Sequence, residues 1–504
     1  MSACAFTVAP IGFDGTLVRV ECDMAKGLPT LQIVGLATKS VDEAKERVRS
    51  AIRNTHLNFA ESKVTVNLSP ANLSKDGSHY DLPIAIAILV ETNQIRSDKV
   101  NDIVIAGELG LDGELHSIRG AITIAEAAKR AGKRAVIIPL QNALQAALVS
   151  GIDVIGATNL RDVFLHLCGE KIISPTVYSS IKSVAKKSSI DMSDIKGQDH
   201  AKRALLIAAA GHHNILLDGP PGAGKTMLAK AFVGILPPPT HEEMIEITKL
   251  HSLSGEVSDA VITERPFRSP HHTSSFISLV GGGARPVPGE ISLAHHGVLF
   301  LDELPEYPRA SLEALRQPLE DRTIHVSRAT TKVSYPANFM LVATKNPCPC
   351  GYYGDATHEC TCTMMQLLNY QKRISGPLLD RIDLVVHVAR ASEKDFLQDQ
   401  TTTPAISPTW RSQVIAARQR QNTRYANQLS NAQLPSKQIG RCTKLSDTAE
   451  DLLQSAAAKM QLSARSYFKV IRVARTIADL ENSESILPNH IAEALQYRAE
   501  TLVH

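Results

Sequence analysis

The stretch ILLDGPPGAGKT, residues 215–226, decides the fold of the central part of this chain. Its apolar start, residues 215–217, predicts a buried strand, and residues 227–234 beyond it have the spacing of a helix. The turn between them satisfies the G-x-x-x-x-G-K-[ST] pattern. Its residues are Gly219, Pro220, Pro221, Gly222, Ala223, Gly224, Lys225 and Thr226. A strand, a phosphate-binding turn and a helix in this order predict an α/β unit with a nucleotide site at the strand end.

The residue types of this turn match the chemistry of nucleotide binding. Glycines allow backbone N–H groups to point inward at a helix N-terminus, where they cradle phosphates. Lys225 can then reach the β- and γ-phosphates, and Thr226 can offer its hydroxyl to Mg²⁺. The sequence therefore predicts that the turn binds ATP together with Mg²⁺.

A second apolar strand, residues 298–301, ends in the acidic pair Asp302 and Glu303. We assign Asp302 to the Mg²⁺ ion and Glu303 to general-base or water-polarising work. A strand that ends in two acids is common by itself. Downstream of a complete phosphate-binding turn, it predicts the second half of an ATPase site.

A third strand, residues 339–343, leads into Thr344, Lys345 and Asn346. A polar side chain at this strand tip can contact the γ-phosphate or the attacking water, so Asn346 is the candidate sensor. The alternative is that Asn346 only begins a turn before Pro347.

Length and composition set the broad class of the protein. At about 150 residues per domain, 504 residues predict about three domains, and 43% hydrophobic residues provide ample core material. A net charge of +3 excludes a strongly basic, histone-like protein but not a local basic surface. No apolar run approaches the ~20 residues that span a bilayer, and residues 1–10 show no signal-peptide pattern. We therefore expect a cytoplasmic protein with no membrane partner.

Shifts in composition divide the chain into four segments. Residues 1–170 alternate strand-like and helix-like stretches, and 171–190 form a linker rich in Ser and Lys. Residues 191–395 contain the three strands described above. Residues 396–504 are predicted to be mainly helical, with helices at 411–425, 446–460, 464–480 and 488–497.

The order of phosphate-binding turn, acidic pair and polar strand tip resembles the AAA+ ATPases over about residues 190–500. The resemblance implies that the C-terminal helices form the AAA+ lid. Under it, Arg465 is similar to the sensor-2 arginine and Arg381 to the finger that reaches a neighbour's γ-phosphate. The alternative for either arginine is a surface salt bridge. A finger that acts on a neighbour implies a ring, and we expect a homohexamer.

The segment before Asp302 is longer than a strand-helix-strand unit requires, and it resembles the magnesium-chelatase and MCM-helicase branch. It contains the pair His271 and His272, which we interpret as a loop or pore contact because no third ligand of clear spacing accompanies it. Residues 322–333 alternate around a short polar tip and predict a β-hairpin. In helicases of this branch the hairpin points into the pore, which implies that Arg328 and Lys332 contact a nucleic-acid backbone. An ordinary solvated hairpin is the alternative.

Four of the eight cysteines lie in one short segment: Cys348, Cys350, Cys360 and Cys362. They form two C-x-C pairs separated by nine residues. Four thiolates satisfy tetrahedral Zn²⁺ with no open position, which predicts a structural zinc site. An iron–sulfur cluster and four free thiols are the alternatives.

In the N-terminal segment, residues 75–77 and 107–115 resemble the proteolytic domain of Lon. Lon-type proteases use a serine nucleophile activated by a lysine. On this resemblance the nucleophile position falls at His79, next to Ser78, and the lysine position falls at Ile122. We therefore expect no peptidase activity and a ring-forming scaffold or DNA-guiding module instead.

A Lon-like domain ahead of a magnesium-chelatase-type core that contains Asn346-Pro347-Cys348-Pro349-Cys350-Gly351-Tyr352 is similar to the YifB/ComM family over nearly the whole chain. The implied fold is α/β, with a Lon-protease-like (ribosomal S5 domain 2-like) N-terminal domain, an AAA+ P-loop NTPase core and a C-terminal helical lid. The family's competence member is a hexameric helicase that promotes branch migration during natural transformation. The resemblance implies an ATPase that drives branch migration on single-stranded, double-stranded and branched DNA. The ATPase motor of a magnesium-chelatase-like complex and an AAA+ protein-remodelling factor remain open alternatives.

Overall fold

Two sheet-containing parts and a C-terminal group of helices follow one another along the chain. A computed structural model describes residues 3–36, 38–178, 190–256, 260–283, 286–327, 332–355, 358–390, 404–425 and 429–498. The mixed α/β class is as predicted. Most of the predicted linker, 171–190, lies outside the described residues, as does the predicted boundary at 395. None of the helices in the described ranges combines the length and apolar character that a bilayer crossing requires.

The N-terminal part begins with a four-stranded sheet in the order β1-β2-β4-β3. Its strands are β1 (Ala3–Ile11), β2 (Asp14–Ala25), β3 (Thr30–Val34) and β4 (Lys63–Ser69). β1–β2 and β2–β4 are antiparallel, whereas β3 runs parallel to β4. In β4, the alternate residues Val64, Val66 and Leu68 are buried, which is the period-2 pattern of a sheet with one covered face.

A buried helix connects this sheet to a second one. The helices before residue 92 are α1 (Lys39–Asp42), α2 (Ala44–Asn54) and α3 (Asp81–Glu91). Nearly every residue of α3 is buried, as expected for a helix that is apolar all round, and α3 packs on β1, β2 and α2. The following elements include a three-stranded parallel sheet in the order β5-β8-β9. They are β5 (Ile103–Ile105), β6 (Glu108–Leu109), β7 (Leu115–His116), α4 (Ala121–Arg130), β8 (Ala135–Pro139), α5 (Leu140–Ala146), β9 (Asp153–Ala157) and α6 (Leu160–Cys168).

The central part is built on a five-stranded parallel sheet in the order β11-β14-β17-β10-β18. Its elements are α7 (Asp199–Gly211), β10 (Ile215–Asp218), α8 (Lys225–Phe232), α9 (His241–Ser254), β11 (Phe267–Arg268), α10 (Phe276–Val280), β12 (Gly281–Gly282), β13 (Val287–Pro288), α11 (Glu290–Leu293), β14 (Val298–Leu301), α12 (Arg309–Ala314), α13 (Arg316–Asp321), β15 (Thr323–Ser327), β16 (Lys332–Pro336), β17 (Met340–Lys345), α14 (Met364–Gln371), α15 (Gly376–Leu379) and β18 (Leu384–His387). The register pairs Leu217 with Thr344 and Leu301 with Ala343. The carboxyl ends of β10, β14 and β17 therefore meet at one edge of the sheet.

The C-terminal part is helical, as predicted. Its helices are α16 (Ser407–Tyr425), α17 (Ser436–Cys442), α18 (Asp447–Lys459), α19 (Ala464–Leu480) and α20 (Pro488–Gln496). Helix α16 begins earlier than the predicted residue 411, and α17 was not predicted. Helices α16 and α19 pack on α7 and share one hydrophobic cluster with the central sheet, so this part continues the core of the central part.

Helix α9 joins the N-terminal part to the central part. The Lys249 ammonium is almost fully buried, pairs with Glu126 and lies 3.9 Å from the centroid of the Phe13 ring. Near the end of the helix, the Gly120 N–H donates to Ser252 Oγ over 3.2 Å. A buried ammonium that is paired with a partly exposed carboxylate and lies beside an aromatic ring favours one fixed docking geometry between the two parts.

Candidate functional site

The glycine-rich turn has the backbone that its residue types predict. Gly222 and Gly224 have φ values of +80° and +85°, which glycine adopts without a steric penalty. At Gly219 a Cβ would lie 2.1 Å from the carbonyl oxygen of Val388, just beyond β18, so only glycine fits this close approach. Helix α8 begins at Lys225, and the turn therefore ends on a helix N-terminus.

Lys225 is held at the centre of the site. Its ammonium donates to the carbonyl oxygens of Gly219 and Pro220, the latter at 2.9 Å, and to Asn346 Oδ1 at 3.0 Å. These bonds use all three donors of the group. Burial lowers the pKa of Lys225, while the nearby carboxylates of Asp218, Asp302 and Glu303 act in the opposite direction. The structure thus brings Lys225 and Asn346, which sequence reasoning assigned separately, into direct contact.

Asp302 connects the start of helix α8 to the end of strand β17. Its carboxylate accepts hydrogen bonds from Thr226 Oγ1 at 3.1 Å and from Thr344 Oγ1 at 2.6 Å. The Thr344 hydroxyl oxygen in turn accepts from the Glu303 N–H at 2.9 Å. Thr344 is therefore a functional residue that sequence reasoning missed. The available signal was a buried polar residue at the end of an apolar strand.

The residues present fit ATP and Mg²⁺. The hydroxyl of Thr226 and the carboxylate of Asp302 are hard oxygen donors of the kind that Mg²⁺ prefers, and they are already in contact. The Lys225 ammonium lies against the turn that would receive the phosphates. Glu303 is exposed beyond the strand end, where a carboxylate can reach a water molecule.

The two predicted arginines do not line this site. Arg381 and Arg465 line one cavity of about 110 Å³ together with Asn214, at the opposite end of β10 from the glycine-rich turn. Arg381 is mostly buried and pairs with Glu320, whereas Arg465 is exposed. Because the turn follows the carboxyl end of β10 and this cavity lies at its start, the two arginines lie at the opposite end of the strand from the phosphate-binding turn.

The predicted β-hairpin is present. Strands β15 and β16 pair antiparallel, with Ser327 opposite Lys332. In β16, Val333 and Tyr335 are buried, while Lys332 is exposed. Arg328, the other predicted nucleic-acid contact, lies outside the described residues.

The four clustered cysteines come together. The Sγ atom of Cys348 lies 3.2 Å from that of Cys350 and 3.7 Å from that of Cys360, and Cys362 completes a group whose sulfur atoms all lie within 4.8 Å. Four thiolates on one zinc ion with Zn–S bonds of about 2.3 Å are separated by ~3.8 Å. The geometry and the all-sulfur donor set thus fit a closed tetrahedral site.

The cysteine segment also touches the glycine-rich turn. The N–H groups of Gly351 and Tyr353 donate to Cys348 Sγ, which wraps the backbone around that sulfur. Gly351 has a φ of +88°, and a Cβ at this position would lie 2.7 Å from Cδ of Pro221. The cysteine segment therefore packs directly against the turn that would hold ATP.

A second group with metal-ligand chemistry, Glu246 with His295 and His296, was missed by sequence reasoning. Its hydrogen bonds disfavour a metal. Burial lowers the pKa of His295 to about 4, so its ring is neutral at pH 7. His295 Nδ1 accepts from the Asn338 N–H, so the proton sits on Nε2, which donates to Glu246. The lone pair that would bind a metal is therefore not available. The other pair, His271 and His272, belongs to neither metal-type group found among the described residues.

The N-terminal part buries both positions of the expected protease dyad. The His79 side chain is nearly inaccessible, with Nε2 3.0 Å from the carbonyl oxygen of Val8, and burial lowers its pKa to about 4. Ile122 is fully buried in α4. The adjacent Ser78 donates to Glu108. Neither position therefore presents a nucleophile or base.

A parallel sheet with a glycine-rich turn, an acidic strand end and a polar strand tip at one edge defines a P-loop ATPase of the AAA+ class. Family models agree: "Magnesium chelatase, subunit ChlI" matches residues 191–396, "Subunit ChlI of Mg-chelatase" matches 20–142, and "Magnesium chelatase, subunit ChlI C-terminal" matches 405–498. The chain is 44% identical to competence protein ComM of Haemophilus influenzae over 99% of this chain and 97% of that protein. It is 43% identical to protein YifB of Escherichia coli, again over 99% and 97%. The chain belongs to the YifB/ComM family of magnesium-chelatase-like AAA+ proteins.

A more distant similarity covers a smaller part of the chain. The magnesium-chelatase 67 kDa subunit of Chlorobaculum parvum is 29% identical over 31% of this chain and 23% of that protein. The similarity to ComM and YifB, by contrast, extends over the N-terminal, central and C-terminal parts together.

Proposed function

We propose that this protein is an ATP-driven DNA helicase or translocase that promotes branch migration of recombination intermediates during natural transformation. The full-length similarity to a protein named for competence supports the setting. Lys225, Thr226 and Asp302 would hold ATP and Mg²⁺, Glu303 would activate water, and Asn346 would respond to the γ-phosphate. Bound Mg²⁺ supplies charge neutralisation on the phosphates.

The observation that carries a DNA-directed function is the position of the hairpin β15–β16. Only residues 337–339 separate β16 from β17, and β17 leads to Asn346. At the hairpin base, the Ala337 N–H donates to the carbonyl oxygen of Arg322 at 2.7 Å. A change at the Asn346 end of β17 can therefore be transmitted along one strand to the hairpin that carries the exposed Lys332. Cations on such an element bind nucleic-acid phosphates without regard to sequence.

The test is a salt-titrated DNA-binding and branch-migration assay with Lys332→Gln combined with Arg328→Gln. We expect weaker binding, a smaller salt slope and slower branch migration, with ATP affinity unchanged. Lys63→Gln is the matched control, because Lys63 is an exposed lysine on β4 of the N-terminal part. Wild-type binding and branch migration in the double variant would remove the hairpin from the DNA path.

The proposed assembly is a homohexamer in which each subunit supplies arginines to its neighbour. Arg381 and Arg465 share one cavity at the far end of β10 from their own phosphate-binding turn. This placement supports both residues acting on the nucleotide of the next subunit.

The N-terminal part is proposed to be Lon-like in fold and to serve as a ring-forming scaffold or DNA guide. The burial of His79 and Ile122 supports a role without peptide-bond chemistry. Its fixed contact with α9 supports a structural connection to the ATPase core.

The cysteine segment is proposed to hold one structural Zn²⁺ through Cys348, Cys350, Cys360 and Cys362. Elemental analysis of protein purified without added metal tests this proposal. One zinc per chain is expected. Stoichiometric iron would indicate a cluster instead, and neither metal would leave four free thiols.

Two other functions use the same ATPase core. The chelatase family models favour a motor that loads Mg²⁺ into a porphyrin, and AAA+ membership alone also suits a protein-remodelling factor. Stimulation of ATP turnover separates the three. DNA, a tetrapyrrole-pathway partner subunit and unfolded protein are the respective stimulators, and we expect DNA to be effective.

A further inference from the structure

The helical C-terminal part carries a concentration of positive charge that the total of +3 conceals. Residues 400–446 contain seven lysines and arginines and no aspartate or glutamate. The seven are Arg411, Arg418, Arg420, Arg424, Lys437, Arg441 and Lys444. A stretch of this length without a single acid is strongly cationic, and its position in the fold decides where that charge is presented.

Two of these cations have structural roles, and four face a cavity. The guanidinium of Arg411 donates to the carbonyl oxygen of Gly234, and that of Arg418 to the carbonyl oxygen of Ala209. Four of the other five cations line a cavity of about 510 Å³ between α16, α17 and the end of α19. They are Arg420, Arg424, Arg441 and Lys444.

The carboxylates near the cavity do not neutralise it. The fully buried carboxylate of Asp479 pairs with both Arg424, at 2.5 Å, and Arg475, at 3.1 Å. One negative charge is therefore shared between two positive charges. Glu484, the one acid in the lining, pairs with Lys444 at 2.6 Å. Within the described residues, no carboxylate pairs with Arg420 or Arg441. The cavity therefore has an uncompensated positive charge.

The walls of the cavity are held in place before any ligand arrives. Arg475, almost fully buried, donates to the carbonyl oxygens of Ser483 and Glu484 at 2.5 and 2.8 Å and fixes the turn after α19. The Nη1 group of Arg420 donates to the carbonyl oxygen of Asp479 at 2.7 Å, which sets the orientation of the guanidinium, and its other donors have no partner among the residues that the structure describes. Preset guanidinium groups lose little entropy when they bind an anion.

We propose that this cavity, which we call the lid anion site, binds phosphate groups of the DNA backbone. Guanidinium forks match phosphate oxygens in geometry and charge, and the site offers two without a carboxylate partner. The proposal rests on the DNA-directed function above and adds a second contact, distant in sequence from the hairpin. A DNA strand would then be held both by the central part and by the C-terminal helical part.

Cys442 allows the site to be tested directly, because its side chain lines the cavity and is partly exposed. Full-length protein, kept in ADP so that the P-loop is occupied, is alkylated with iodoacetamide. The rate at each cysteine is followed by peptide mass spectrometry. Cys168, exposed at the end of α6, is the internal reference. A 30-nucleotide single strand at ten times its Kd should slow alkylation of Cys442 about tenfold and leave Cys168 unchanged.

Substitutions connect the protection to the cations. In Arg441→Gln and Arg420→Gln we expect protection of Cys442 to be lost and the salt slope of DNA binding to fall by about one for each phosphate contact removed. Lys459→Gln, an exposed lysine at the end of α18, is the matched control and should behave as wild type. Basal ATP turnover should be unchanged in all three.

The outcomes separate the two proposals. If the strand binds by fluorescence anisotropy but leaves Cys442 unprotected, the lid anion site is wrong and the DNA function stands. If the strand does not bind at all, the DNA function and the DNA assignment of the site fail together. A parallel arm with pyrophosphate then shows whether the cavity takes a free phosphate ligand instead. Protection by neither ligand rejects an anion site altogether.

Discussion

At the residue scale, Glu303, the proposed water-activating residue, has an unusual backbone conformation. It has φ of +52°, in the left-handed region, and its N–H is held by Thr344. The Glu303 side chain is exposed just beyond the strand that ends at Leu301. Backbone strain of this kind at a strand tip is typical of functional positions.

Glu303→Gln should lower ATP turnover by about 10²- to 10⁴-fold, because the amide retains the shape of the side chain but cannot accept a proton. ATP binding should be retained, since Lys225 and Thr226 are untouched. Steady-state turnover and equilibrium binding of a fluorescent ATP analogue provide the two measurements. Turnover close to wild type would exclude Glu303 as the base.

Thr344→Val tests the residue that sequence reasoning missed. The change keeps the volume but removes the hydroxyl that donates to Asp302 and accepts from the Glu303 N–H. We expect Mg²⁺ affinity or turnover to fall about 10- to 100-fold, as for other groups that orient a metal ligand. Thr344→Ser, which retains the hydroxyl, is the control and should remain within a few-fold of wild type. Equal loss in both variants would point to packing rather than hydrogen bonding.

At the element scale, the cysteine segment couples a metal-type cluster to the ATP site. Gly351 packs on Pro221, and Asn346, two residues before Cys348, contacts Lys225. Cys360→Ser should therefore weaken metal retention and raise the KM for ATP about tenfold, which corresponds to about 1.4 kcal/mol. Cys168→Ser is the matched control on α6. Zinc content and KM measured on the same samples show whether the two losses occur together, and an unchanged KM in zinc-free protein would disprove the coupling.

The sequence predicted elements where local patterns decide the outcome. Strand β14 and helix α19 have the predicted bounds, because a continuous apolar run and a helical repeat specify them without reference to distant residues. The contact between Thr226 and Asp302 also followed from motif chemistry. The packing of Gly351 on Pro221 and the shared cavity of Arg381 and Arg465 did not. Those contacts join residues far apart in the chain, and only the sheet order brings them together.

At the scale of the whole molecule, two features organise the ATPase: helix α9 and the strand order of the central sheet. Lys249 fixes the N-terminal part to the core, and β10 places the phosphate-binding turn at one end and Arg381 at the other. In the proposed homohexamer, each ATP site would combine the phosphate-binding turn of one subunit with Arg381 of the next. Head-to-tail association of this kind closes into a ring.

Mixing two inactive variants tests this sharing. Arg381→Ala retains the water-activating Glu303 but supplies no arginine, whereas Glu303→Gln supplies the arginine but no base. If Arg381 acts on the neighbouring subunit, about one interface in four of randomly mixed rings combines an intact site with an intact arginine. An equimolar mixture should then recover up to about a quarter of wild-type turnover after subunit exchange.

The decisive controls are the time allowed for subunit exchange and the behaviour of each variant alone. Recovery should grow with the time allowed for subunit exchange, and it should be absent when each variant is mixed only with itself. If Arg381 served its own subunit, every chain in the mixture would lack either the base or the arginine for its own site. The mixture would then turn over ATP no faster than the average of the two variants.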